Sequence, residues 1–120
     1  MFEDTFLTLN KRIHGLKMIG VWGKDGLELE KKCFTGMDEI SRVIDLDFSG
    51  AELADIMGKL DRTKVSSGNY FVKLNYRRHI LIIYSLTKDY FLMILADEGI
   101  IEGKLRFYLD IYRESIAKSL

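Results

Sequence analysis

Two apolar runs, His79 to Leu86 and Tyr90 to Ala96, are separated only by Thr87, Lys88 and Asp89. Both are strand-length and rich in aromatic and branched residues. Neither shows the polar–apolar alternation of a half-exposed strand, so both read as strands buried on their two faces. The short polar spacer makes them antiparallel neighbours, and such a pair belongs in the interior of a sheet. After Asp97, a loop with Gly99 and Gly103 leads into a stretch that places Leu105, Tyr108, Tyr112 and Ile116 at helical intervals. The end of the chain therefore predicts strand, turn, strand, loop and closing helix.

The remaining elements fall into place around this unit. Phe2, Phe6, Leu9 and Ile13 form the apolar stripe of a first helix ending near His14–Gly15. Leu16 to Trp22 is a first strand and Leu27 to Phe34 a second. The Lys24-Asp25-Gly26 turn between them supplies the positive-φ chemistry of a hairpin. Leu27, Leu29 and Cys33 are expected on one face of the second strand, with Glu28, Glu30 and Lys32 on the other. Thr35 with Asp38 reads as the start of a short helix through Val43. Ser49-Gly50-Ala51-Glu52 is a capping box, which predicts a helix to about Lys64 with Leu53, Ile56 and Leu60 as its core stripe. Tyr70 to Tyr76 alternates as a third strand, and Arg77-Arg78 form the turn into His79.

The order is helix, two strands, helix, three strands, helix: a single α/β (α+β) domain over residues 1–120, α-β-β-α-β-β-β-α. Joining Leu16–Trp22 to Tyr90–Ala96 closes a five-stranded, mostly antiparallel sheet in the order 2-1-5-4-3, with helices on both faces. Leu27–Phe34 and Tyr70–Tyr76 are then its edges. A length of 120 residues suits one domain, and 48% hydrophobic residues suffice for a core.

Charge and chemistry exclude several function classes. Eighteen basic residues balance eighteen acidic ones, so no global field attracts nucleic acid or an anionic membrane. The single cysteine, Cys33, permits no internal disulfide and fits a reducing compartment. MFEDTF is acidic where a signal peptide would be basic, and no apolar run reaches membrane-spanning length. The expectation is a cytoplasmic protein without direct membrane insertion. His14, His79 and Cys33 have no metal-ligand spacing. Gly20, Gly23 and Gly26 lie in a strand and hairpin rather than before a helix, and no phosphate-binding Gly-x-x-x-x-Gly-Lys-Ser/Thr occurs. Cys33 has no local base or oxyanion site and reads as a small hydrophobe. No catalytic residue, cofactor or metal is expected: the chain is not read as an enzyme.

Leu95, Ala96 and Asp97, with Gly103 six positions after Asp97, resemble the C-terminal end of roadblock-type domains, whose buried strand ends in Leu-Ala-Asp before the last helix. The resemblance extends over most of the chain, because that family has the same strand order. It departs at Glu98, where the family usually has proline, and at Ile101, where it often has asparagine. What it implies is a small dimeric platform that binds Ras-like GTPases or assembles larger complexes.

Two features of the sequence take on meaning beside that resemblance. Glu28, Glu30, Lys31 and Lys32 put charge along one edge strand, as proteins do to blunt an edge. The other edge, Tyr70–Tyr76, carries only Lys73. In roadblock domains two sheets join through this strand, which implies a homodimer interface at Tyr70, Phe71, Val72, Lys73 and Leu74. The second feature is a strip of small residues, Gly50, Ala54 and Gly58, beside Ala51 and Met57. Glycine inside a helix costs about 1 kcal/mol relative to alanine. Close approach of a partner would explain that cost, as would tight packing inside the monomer. In bacterial roadblock proteins the paired helices contact the GTPase, which implies partner binding at Ala51, Ala54, Met57, Gly58 and Arg62. The expected function is a homodimeric regulator or scaffold of a small Ras-like GTPase. The alternatives are a non-regulatory adaptor subunit and a ligand-sensing α/β domain with a pocket between helix and sheet.

Overall fold

The N-terminal stripe folds as its spacing dictates: Phe2, Phe6, Leu9 and Ile13 are all buried, on one side of helix α1 (Glu3–Arg12). The structure is a computed structural model and describes residues 1–35, 71–76 and 78–120, with no account of the Tyr76 side chain. Strands β1 (Leu16–Gly23), β2 (Glu28–Cys33), β3 (Phe71–Tyr76), β4 (His79–Ser85) and β5 (Tyr90–Asp97) follow, then helix α2 (Glu102–Lys118). The helix expected over residues 50–64 and the segment 36–48 lie outside the described residues.

The five strands form one sheet in the order β2-β1-β5-β4-β3. Every pairing is antiparallel, including the β1–β5 pairing that closes the N-terminal hairpin onto the C-terminal meander. The short turns set this register. Gly26 adopts a φ of 92°, and Asp25 Oδ1 accepts the Leu27 N–H at 3.0 Å, so the Asp-Gly pair turns the first hairpin. In the β4–β5 turn, Thr87 Oγ1 accepts the N–H groups of Asp89 and Tyr90 at 3.3 and 3.2 Å.

β4 and β5 are buried on both faces, as their uninterrupted apolar runs require. One face packs Ile19, Val21, Ile82, Leu92 and Ile94 against Phe6 and Leu9 of α1 and Leu105, Leu109 and Ile116 of α2. The opposite face gathers Met18, Trp22, Leu81, Ile83, Phe91, Met93 and Leu95, with Cys33, Val72 and Leu74 at its margin. Both described helices lie on the first face, and the second face is buried as well.

Two local expectations need correction. Leu27, Leu29 and Cys33 do not share one regular face of β2: Leu27 and Leu29 are exposed, and Cys33 is half-buried at the margin of the sheet's second cluster. The register shifts between Val21, opposite Glu30, and Trp22, opposite Glu28. This bulge leaves Leu29 as the extra residue and breaks the alternation predicted for the whole strand. In α2 the fully buried residues are Leu105, Leu109 and Ile116, while Tyr108 and Tyr112 pack only partly against that core. A tyrosine keeps its hydroxyl end near water while its ring packs, so the centre of the stripe falls to Leu109.

Candidate interaction surfaces

The two edges of the sheet differ in what they offer. Along β2 the charges are engaged close to home. Glu30 accepts the Phe2 N–H at 2.6 Å and the Met1 ammonium at 2.9 Å, Lys32 meets Glu3 at 3.1 Å, and Lys31 meets Glu28 at 3.4 Å. The hydrogen bond from the terminal ammonium holds the Glu30 carboxyl below its ordinary range, against an opposing effect of burial. α1 has no side-chain cap of its own, so this carboxylate also satisfies the free donor at its start.

β3 pairs with β4 from Phe71 opposite Tyr84 to Tyr76 opposite His79, and no described strand pairs with its outer edge. From Phe71 to Leu74 its side chains alternate between the two faces of the sheet. Val72 and Leu74 pack against the cluster around Met18 and Phe91. Phe71 meets Tyr84 edge-on with ring centres 6.2 Å apart, and the Arg106 guanidinium lies 4.5 Å from the Phe71 ring centre. Lys73 reaches Glu102 of α2 at 3.3 Å. With Phe71, Val72 and Leu74 packed on the sheet and Lys73 paired to α2, the main chain of this part of β3 is open to another strand.

Of the sequence-predicted interface, the structure therefore places Phe71, Val72, Lys73 and Leu74 together on this edge strand. Tyr70 lies outside the described residues. So do Ala51, Ala54, Met57, Gly58 and Arg62.

Sequence reasoning missed the clamp that α2 places on β3 and β4. The Tyr84 hydroxyl donates to Asp110 Oδ1 at 2.6 Å, and Arg113 lies over the Tyr84 ring at 5.4 Å. Burial, then the hydrogen bond to Asp110 and that carboxylate's charge, push the Tyr84 hydroxyl up to about 12. An unfolded tyrosine ionises near 10, whereas the folded one keeps its proton to about 12. This contribution is complete below pH 10 and is lost as pH rises through about 12. Tyr84→Phe should cost about 1–2 kcal/mol at neutral pH, because one hydrogen bond to a charged acceptor is lost. Urea unfolding across an alkaline pH series should show that difference shrinking above pH 10. A difference independent of pH would refute the assignment.

Hollows lined by described residues lie at the surface. One of about 250 Å³ is lined by Met1, Glu3, Phe6 and Glu30 to Lys32. Another of about 290 Å³ lies between the two hairpin turns, at Gly23 to Asp25, Asp89 and Tyr90. Among the described residues no group of three His, Cys, Asp or Glu side chains is arranged to hold a metal ion, and no helix is long and apolar enough to cross a membrane.

A five-stranded antiparallel sheet in the order β2-β1-β5-β4-β3, opened by α1 and closed by α2, defines the roadblock fold. Solved structures agree with that assignment over nearly the whole chain. It is similar to MglC from Myxococcus xanthus, with a TM-score of 0.75 at 18% identity over 99% of this chain and 98% of that one. A Roadblock/LC7 domain from Streptomyces avermitilis gives 0.67 at 14% identity, covering 94% and 92% of the two chains. Myxococcus xanthus MglB gives 0.67 at 15%, covering 92% and 87%. No family model and no curated protein matches the sequence. The relationship is therefore carried by architecture.

Proposed function

We propose that this chain is a homodimeric roadblock-type regulator or scaffold of a small Ras-like GTPase in the cytoplasm. Two sheets join through Tyr70, Phe71, Val72, Lys73 and Leu74. The partner lies over Ala51, Ala54, Met57, Gly58 and Arg62. The observation that carries this reading is the roadblock strand order ending in a β3 edge without a described neighbour, while β2 is laced with ion pairs. Joining two β3 strands satisfies main-chain groups of both copies, and Phe71, Val72 and Leu74, already packed on the sheet, need not move.

The chain itself carries out no chemistry in this reading. It binds the GTPase and favours one arrangement of its switch regions, so any faster hydrolysis comes from ordering groups the GTPase already owns. Such a regulator must bind the GTP and GDP forms unequally, since equal binding shifts nothing.

The test is a titration of the purified chain against a candidate GTPase in each nucleotide state, with hydrolysis followed in parallel. A preference of about tenfold, or about 1.4 kcal/mol, is expected for one state. Ala54→Arg with Gly58→Arg should abolish that binding while circular dichroism stays unchanged, because bulk and charge block close approach. Equal affinities with an unchanged hydrolysis rate would leave only the adaptor role. GTP hydrolysis by this chain alone would overturn the non-enzymatic reading.

A further inference from the structure

The outer face of α2 carries two large apolar side chains at its centre, where a solvated helix would be polar. Phe107 is 61% exposed and Ile111 53% exposed, one turn apart and on the side opposite Leu105, Leu109 and Ile116. Lys104 and Glu114, both exposed, extend the same stripe by one step at either end. The spacing is three, four, three, which is the a/d spacing of a helix–helix seam.

This stripe is complementary to itself when reversed. Read forward it runs cation, aromatic, aliphatic, anion. Two copies lying antiparallel about a two-fold axis between positions 107 and 111 bring Phe107 level with Ile111 of the second copy. The same axis brings Lys104 level with Glu114 of the second copy, twice over. A parallel pair would set lysine against lysine and glutamate against glutamate. We infer that the Lys104–Phe107–Ile111–Glu114 face of α2 docks a second copy of this chain as an antiparallel, two-fold helix pair.

The competing contact is weak. Glu114 meets Lys118 at 3.1 Å, but both side chains are about three-quarters exposed, and such i,i+4 surface pairs contribute little. The Phe107 ring touches Tyr108 edge-on at 5.3 Å and is otherwise free to be covered. Four residues from each copy make a small interface, so the association is weak and concentration-dependent. It is separate from the β3 edge. A chain carrying two different self-complementary patches builds dimers of dimers, closed or open according to the angle between the two axes.

The test is sedimentation equilibrium over a concentration series. The wild-type chain should show an association step that Phe107→Asp weakens by at least about a hundredfold, with the loss of one doubling of mass, because an apolar anchor is replaced by a charge in both copies. Lys104→Glu alone and Glu114→Lys alone should each weaken it by about tenfold, since each sets like charges level with one another twice. The double variant Lys104→Glu with Glu114→Lys should restore it, since the pattern is then complementary again with its signs exchanged. All four positions are exposed, and unchanged circular dichroism confirms that the variants fold. A double variant no better than the singles overturns the antiparallel pairing. Self-association indifferent to Phe107→Asp overturns the proposal, including the case in which that variant lowers only the binding of a different protein.

Discussion

Phe6→Ala is expected to destabilise the chain by about 3–5 kcal/mol, the range for truncating a fully buried phenylalanine. Phe6 has no exposed surface, and its ring centre lies 5.9 Å from that of Phe2. It belongs to the cluster in which α1 and α2 are joined to the β1, β4 and β5 side chains. Removing the ring leaves a cavity between α1 and the sheet, and α1 can settle into it only by disturbing the rest of its buried stripe. In a domain of this size the melting temperature should fall by on the order of 10–20 °C. Denaturant unfolding should show a lower midpoint with an unchanged slope. A loss below about 1 kcal/mol would mean that α1 is not part of the cooperative core.

Gly20→Val should cost about 3 kcal/mol, at the upper end of what overpacking usually does. Gly20 lies mid-strand in β1, where glycine is otherwise a poor choice. The reason is the Trp22 ring, which folds back over it. A Cβ at position 20 would lie 2.4 Å from the Trp22 ring and 2.8 Å from the Glu30 carbonyl oxygen. A side chain can swing aside, but the Glu30 carbonyl belongs to the neighbouring strand, so β2 would have to shift. Glu30 also holds the start of α1 through the Phe2 N–H, so the strain reaches the helix. Near-ultraviolet circular dichroism should report a displaced Trp22, and urea unfolding the loss of stability. Gly20→Ala should move both in the same direction by less. Wild-type stability in the valine variant would show that the close approach of ring and glycine is not what glycine serves there.

Much of this architecture was legible before any coordinates, because it rests on local rules. The buried β4–β5 pair follows from two apolar runs and a three-residue polar turn. The Asp25-Gly26 turn follows from the positive φ that glycine tolerates, and α1 from the spacing of Phe2, Phe6, Leu9 and Ile13. The strand order then follows from placing the most apolar strands inside. The weakly charged edge at Phe71–Leu74 was legible for the same reason, since edge protection is written in side-chain charge. By itself, then, the sequence determined the five strands and the two described helices, their order, and which strands lie at the edges of the sheet.

Tertiary structure decided everything that depends on register between distant segments. Leu29 was expected to share a face with Leu27 and Cys33, and a single-residue bulge against β1 breaks that alternation; no pattern within β2 foretells it, because the cause lies in the pairing of Val21 and Trp22. The Tyr84–Asp110 hydrogen bond and the Arg106–Phe71 and Lys73–Glu102 contacts join residues more than 25 positions apart. Their partners exist only once α2 lies across β3 and β4. The exposure of Phe107 and Ile111 belongs here too. Half a turn from the core stripe they could have been noticed as misplaced apolar residues, but another element could equally have covered them. Helical periodicity says which residues share a face, and only packing says whether that face meets protein or water.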